Sequence, residues 1–142
     1  MKIPARAALR VAVPLIAGRL VAPLVARFVP LPTALRRAPV CMCDAVDVDV
    51  AAEVVTGIEG MLRMFPRGGG TCLTRTLARA FALRRVGLPV RFVLGVRADD
   101  DGAPSGHSWL ELHGKPFLEP RPQNLAAFNV IYADDAVANV RP

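Results

Sequence analysis

The hydrophobic period of the chain changes at Gly87–Leu88–Pro89, and that change constrains the fold more than any other feature. Before it, apolar residues recur every three or four positions, as on one face of a helix. After it they alternate, as on a half-buried strand. Leu73, Leu77, Ala78, Phe81 and Ala82 line one side of a helix that starts near Thr71 and Cys72. Gly87 is placed to cap its C-terminus and Pro89 to stop it. Arg84 and Arg85 fall in its last turn, where cations suit the helix dipole. An earlier helix is predicted from Ala51, Val54, Val55, Ile58, Met61, Leu62 and Phe65, with Asp47 or Asp49 as cap and Pro66 and the glycines as its end. On the far side of the change, "PVRFVLGVR" puts Val90, Phe92, Leu94 and Val96 on one face. "HSWLELH" opposes His107, Trp109 and Glu111 to Ser108, Leu110 and Leu112. "PFLE" and "FNVIY" add two short strands, and residues 133–142 read as a polar tail. Helices followed by antiparallel strands predict an α+β fold.

The 142 residues suit one domain, long enough to bury a core without staples. Residues 1–43 form a basic, apolar, helical region and 48–142 the core. The net charge of +6 is concentrated at the front: Lys2, Arg6, Arg10, Arg19, Arg27, Arg36 and Arg37 precede the first acid, and the remainder is close to neutral. No uncharged stretch there reaches the roughly 18–20 residues of a spanning helix. The expectation is one or two short helices, broken near Pro14 and Pro30–Pro32, that pack on the domain with arginines outward. A cleavable signal or a peripheral membrane contact through 1–43 are the competing readings. Nucleic acid is not an expected partner, since no aromatic residue but Phe28 interleaves these arginines. Three cysteines are too few and odd in number for a disulfide framework, which fits a reduced, cytoplasmic setting.

The chemistry centres on Cys72. "GGGTC" brings a flexible approach, a capping threonine and then a thiol to a helix N-terminus. Such a position favours the thiolate, the nucleophilic form, and Arg75 lies one turn on. Gly69 and Gly70 would let a peptide backbone pass closely. A thiol nucleophile needs a base. Of the two histidines, His113 sits at a hairpin tip and His107 opens a strand. The base needs an acceptor behind it. A three-residue loop Leu112–His113–Gly114 would set Glu119 opposite His107; a two-residue turn at His113–Gly114 would set it opposite Ser108, on the other face. Pairing of His107 with Glu119 therefore requires the odd loop or a bulge. Glu111 shares the face of His107 but lies about 13 Å along the strand, which leaves it a structural group. Trp109 reads as core or a pocket wall.

Cysteine, histidine and carboxylate in this order, on helix, strand and next strand, follow the transglutaminase-like, papain-like cysteine protease arrangement. "CLTRTLARAFALRRVGLPVRFVLGV" and "HSWLELHGKPFLE" resemble the lasso peptide maturation leader peptidase, in its stand-alone protease form. The resemblance implies Cys72 as nucleophile, with Arg75 completing the "CL-x-R" word, His107 as base and Glu119 as acid. Ser108 departs from the usual Ala, and Glu119 from the frequent Asp. The implied activity is removal of the leader from a ribosomally made precursor through a thioester, without cofactor or metal. The implied partners are the precursor peptide, a separate leader-recognition protein and an ATP-dependent lasso cyclase.

Three other functions remain open. An amine could replace water, giving acyl transfer. Cys41, Cys43, Cys72 and His107 could hold a metal, though their spacing matches no common zinc pattern. The chain could also be a non-enzymatic scaffold.

Overall fold

The computed structural model describes residues 3–65 and 70–135. Four α-helices precede an antiparallel sheet: α1 Ala5–Phe28, α2 Leu31–Arg36, α3 Val48–Leu62 and α4 Cys72–Arg85, then β1 Arg91–Ala98, β2 Pro104–Leu112, β3 Lys115–Phe117 and β4 Asn129–Ala133. A 3-10 helix, Pro122–Ala127, carries the chain from β3 across to β4. The strand order is β3-β2-β1-β4. The α+β expectation holds.

Helix α4 is the central element. Thr76, Leu77, Ala78, Ala80, Ala82, Leu83 and Arg84 are all buried on it. It packs against α1 on one side and β1 and β2 on the other. Close approach of α1 depends on small residues: a Cβ on Gly18 would come within 3.2 Å of Ala78 Cα. Phe92 and Leu110, paired across β1 and β2, supply the sheet's side of the core. Asp47 caps α3 by accepting from Asp49 N and Val50 N. That helix ends one turn earlier than its apolar spacing predicts. Met61 and Phe65, expected on its buried face, are exposed, whereas Glu59 is buried.

Three further expectations give way. Helix α1 is not broken at Pro14 but runs through Pro14 and Pro23. An interior proline costs about 3 kcal/mol, and the burial of Val11, Leu15, Gly18 and Ala22 on its inner stripe offsets it. By length and composition α1 could cross a membrane, but only its inner stripe is buried, against α3 and α4. Its outer stripe, Leu9, Val13, Ile16, Leu20 and Leu24, is exposed. Second, Arg84, expected only as a cation suiting the helix dipole, turns into the core. It is 2 % exposed, and its guanidinium donates to Val90 O at 3.0 and 2.9 Å, to Ala38 O at 3.3 Å and to Asp134 Oδ2 at 2.6 Å. Third, Asp134 is not part of a polar tail, because its second oxygen accepts from Phe92 N at 2.7 Å. The rest of that tail, from 136, lies outside the described residues.

Removing one partner of a buried ion pair costs about 3–5 kcal/mol. Urea unfolding of Arg84→Ala should show a loss of that size. Arg85→Ala, at the exposed neighbouring position, should stay within about 0.5 kcal/mol.

Candidate active site

Cys72 is the first residue of α4, and Thr71 caps the helix. Thr71 Oγ1 accepts from Thr74 N at 3.2 Å, while Thr74 Oγ1 accepts from Thr71 N at 3.0 Å. Arg75 N bonds Thr71 O at 3.1 Å. The N–H groups of Cys72 and Leu73 are left at the open end of the helix, as helix geometry requires of its first turn. Gly70 has φ +59°, and a Cβ there would meet Thr74 Oγ1 at 2.9 Å. Glycine is therefore needed immediately before the cap. Gly69 lies outside the described residues.

One turn along α4, Thr76 fixes the helix to β2. Its hydroxyl donates to Ser108 O at 3.0 Å and accepts from Ser108 Oγ at 3.1 Å, both buried. The contact falls at the residue after His107, so it sets the thiol's position relative to that strand. Cys72 Sγ lies 3.9 Å from Gly106 O, the carbonyl immediately before His107. The sulfur's hydrogen bond thus goes to the strand backbone rather than to the ring.

His107 Nε2 lies 3.2 Å from Glu119 Oε2. A carboxylate only accepts, so Nε2 carries the proton and Nδ1 is free to receive one. The ring belongs to a three-ring cluster, with Trp109 stacked on it at 6.1 Å, Phe128 tilted at 5.5 Å, and Trp109 and Phe128 6.3 Å from each other between centroids. Gly95, opposite His107 in β1, makes room for them. A Cβ there would fall 2.9 Å from Phe128 Cβ and 3.0 Å from the Trp109 ring. Trp109 is 4 % exposed, so it supports the imidazole from within and presents little surface to a ligand.

The hairpin reaches this pairing by neither an odd loop nor a bulge within the ladder. Leu112 pairs Lys115 and Leu110 pairs Phe117, so the turn has two residues, His113 at φ 51° and Gly114 at φ 75°. The three-residue loop expected from sequence is absent. Continued in register, β3 would carry Glu119 opposite Ser108, facing away. The ladder instead ends at Phe117, and Leu118 adopts φ 59°. A left-handed residue with a Cβ costs roughly 1–2 kcal/mol. The kink turns Glu119 back to the ring.

The remaining polar groups separate from this centre. Glu111 accepts from Trp109 Nε1 at 3.3 Å and faces Arg91 at 3.6 Å. Arg75 is half-buried and forms no ion pair among the described residues. Burial lowers the pKa of the nearby Arg19 guanidinium; Glu59 opposes the shift, and Arg75 and Arg79 add to it. Cys41 and Cys43 lie at the other end of α4, where Cys41 N bonds Arg84 O at 2.7 Å and Cys43 Sγ bonds Arg85 O at 3.6 Å. The helix rise separates that end from Cys72 by about 18 Å, so the four-ligand metal arrangement is ruled out. Hydrogen bonds from Cys43 hold the Cys41 thiol below its usual pKa, and the same shared proton raises that of Cys43. A cleft of about 970 Å³ lies between α1, α2 and α4, lined by Val13, Val21, Ala34, Cys41 and Phe81. Neither Cys72 nor His107 lines it.

The model of the Transglutaminase-like superfamily matches residues 12–133. The chain belongs to that superfamily. No curated protein and no solved structure matched it. The superfamily includes cysteine peptidases and acyltransferases. Sequence reading missed Thr76, Gly95, Phe128 and the Leu118 kink. A signal existed for two of them: Thr76 is a polar residue one turn below Cys72, and Gly95 interrupts a strand, as happens where another group approaches closely.

Thr76→Val should cost about 1–3 kcal/mol, because it strands the buried Ser108 hydroxyl and carbonyl. Ser108→Ala should cost about 1 kcal/mol, since Thr76 keeps its bond to the carbonyl. Equilibrium unfolding of the two variants checks the order.

Proposed function

We propose that the protein is a cysteine peptidase that removes the leader from a ribosomally made lasso peptide precursor. The observation that carries this is the pairing of His107 Nε2 with Glu119, on the strand whose Gly106 carbonyl lies 3.9 Å from Cys72 Sγ, reached through a backbone kink the hairpin register does not supply. With Nε2 committed to the carboxylate, Nδ1 takes the thiol proton as sulfur attacks the scissile carbonyl. The tetrahedral oxyanion forms at the open end of α4, where the Cys72 N–H can donate to it. Collapse breaks the C–N bond, and His107 returns the proton to the departing amine. The leader is then held as a thioester on Cys72. Water attacks that thioester, gives a proton to His107, and releases the leader carboxylate and the thiol.

The partners follow from this reading: the precursor peptide, a separate leader-recognition protein, and an ATP-dependent cyclase that uses the freed amine. The exposed outer stripe of α1 is the surface left for one of these proteins or for a membrane. Gly70 and Arg75, at the approach to Cys72, are the proposed contacts for the extended leader.

The test is mass spectrometry of precursor incubated with its recognition protein and this protein. The wild type should release a leader ending in a free carboxylate. Cys72→Ala and His107→Ala should each reduce release on the order of 10³-fold or more. Glu119→Gln should reduce it about 10²-fold or more. Normal release by either of the first two variants would refute the proposal. A leader joined to an added amine would instead mark the acyltransferase chemistry of the same superfamily.

A further inference from the structure

We infer that Arg79 is a positioning residue: it holds the Leu118 kink that turns Glu119 toward His107. Cys72, Thr76 and Arg79 fall at the first, fifth and eighth positions of α4, on one helix face. The Arg79 fork divides between two partners. Nε donates to Glu59 Oε1 at 2.7 Å and Nη2 pairs with Glu59 Oε2. Nη1 donates to Leu118 O at 3.0 Å. Glu59, fixed on α3, is 5 % exposed and Arg79 12 %, so the guanidinium is held rigidly from behind.

Leu118 is the residue whose left-handed backbone takes the chain out of register. Its carbonyl precedes Glu119 directly. Nothing in the β2–β3 ladder holds it there, since pairing stops at Phe117. Leu118 packs partly against the core, but only the Arg79 bond fixes the orientation of its peptide plane among the described residues. A planar fork can satisfy a carboxylate and a carbonyl at once; an ammonium cannot reproduce that geometry. One helix therefore places the thiol at its end and, two turns on, the support of the carboxylate.

The inference rests on the pairing of His107 with Glu119 mattering to catalysis, but part of its test does not require any activity. In the paired variant Glu59→Leu/Arg79→Met, apolar side chains replace the buried ion pair, an exchange folds tolerate. Arg79→Lys, which keeps a cation against Glu59, is the second variant. The proton NMR signal of the hydrogen-bonded His107 Nε2–H should be present in the wild type. It should be lost or broadened in both variants while the amide spectrum stays dispersed. Leader release should fall about 10–100-fold in kcat, the scale of a misplaced catalytic group, with KM little changed. A variant that combines either change with Glu119→Gln should lose no more than Glu119→Gln alone, because the changes act through one group. A retained Nε2–H signal in either folded variant overturns the inference, as does an Arg79→Lys loss that multiplies fully with that of Glu119→Gln. If the wild type releases no leader but the signal changes as expected, the positioning stands and the assigned substrate falls.

Discussion

Helix α4 is buried between α1 and the sheet, so no polar side chain on its inner faces can be left without a partner. That constraint organises the molecule. Thr76 bonds β2 at Ser108, Arg79 bonds α3 and the Leu118 carbonyl, and Arg84 bonds Val90 O and Asp134. Each bond ties a different part of the chain to the same rod. Cys72 at one end inherits its position from all of them. The thiol, the strand carrying His107 and the segment carrying Glu119 are thus referenced to one rigid element, which suits a site whose groups must meet within tenths of an ångström.

Burying charges is not an efficient way to gain stability. A pair of well-packed apolar residues of similar volume often serves as well or better, while removing one partner of the ion pair is costly. The two buried pairs, Glu59–Arg79 and Arg84–Asp134, are better understood through what else their guanidiniums do. Each arginine also donates to backbone carbonyls at a point where regular pairing fails. Arg79 does so after β3 ends, and Arg84 does so at Val90, just before β1 begins. The charges give direction as well as energy: they set where irregular segments run.

Much of this was legible in the sequence. The change of period at Gly87–Pro89 separated helices from strands because core-facing residues must follow the period of their element. Asp47 read as a cap and Thr71–Cys72 as a helix start for reasons of local hydrogen bonding. What failed was everything decided by distant neighbours. Arg84 and Asp134 look solvated in one dimension and pair across fifty residues. Helix α1 runs through Pro14, and its inner stripe from Val11 to Ala22 is buried against α3 and α4. Met61 and Phe65 continue an apolar spacing yet are exposed, while Leu62 between them packs on the core. The hairpin is the sharpest case. Local rules offered two registers, and His113 and Gly114 at positive φ chose the shorter one. The pairing of His107 with Glu119 was recovered by a kink whose support, Arg79, lies 39 residues from Leu118. Phe128, expected only as the start of a strand, covers the ring because Gly95 leaves the space.

The central claim is that Cys72, activated through His107, is the group that bonds to the substrate's carbonyl carbon. The most direct test is a leader-derived peptide ending in a thiol-reactive electrophile, followed by intact-protein mass measurement and peptide mapping. The account predicts one adduct per protein, on Cys72, formed far more slowly in His107→Ala. Labelling at Cys41 or Cys43 instead, or labelling of Cys72 at an unchanged rate in His107→Ala, would contradict it.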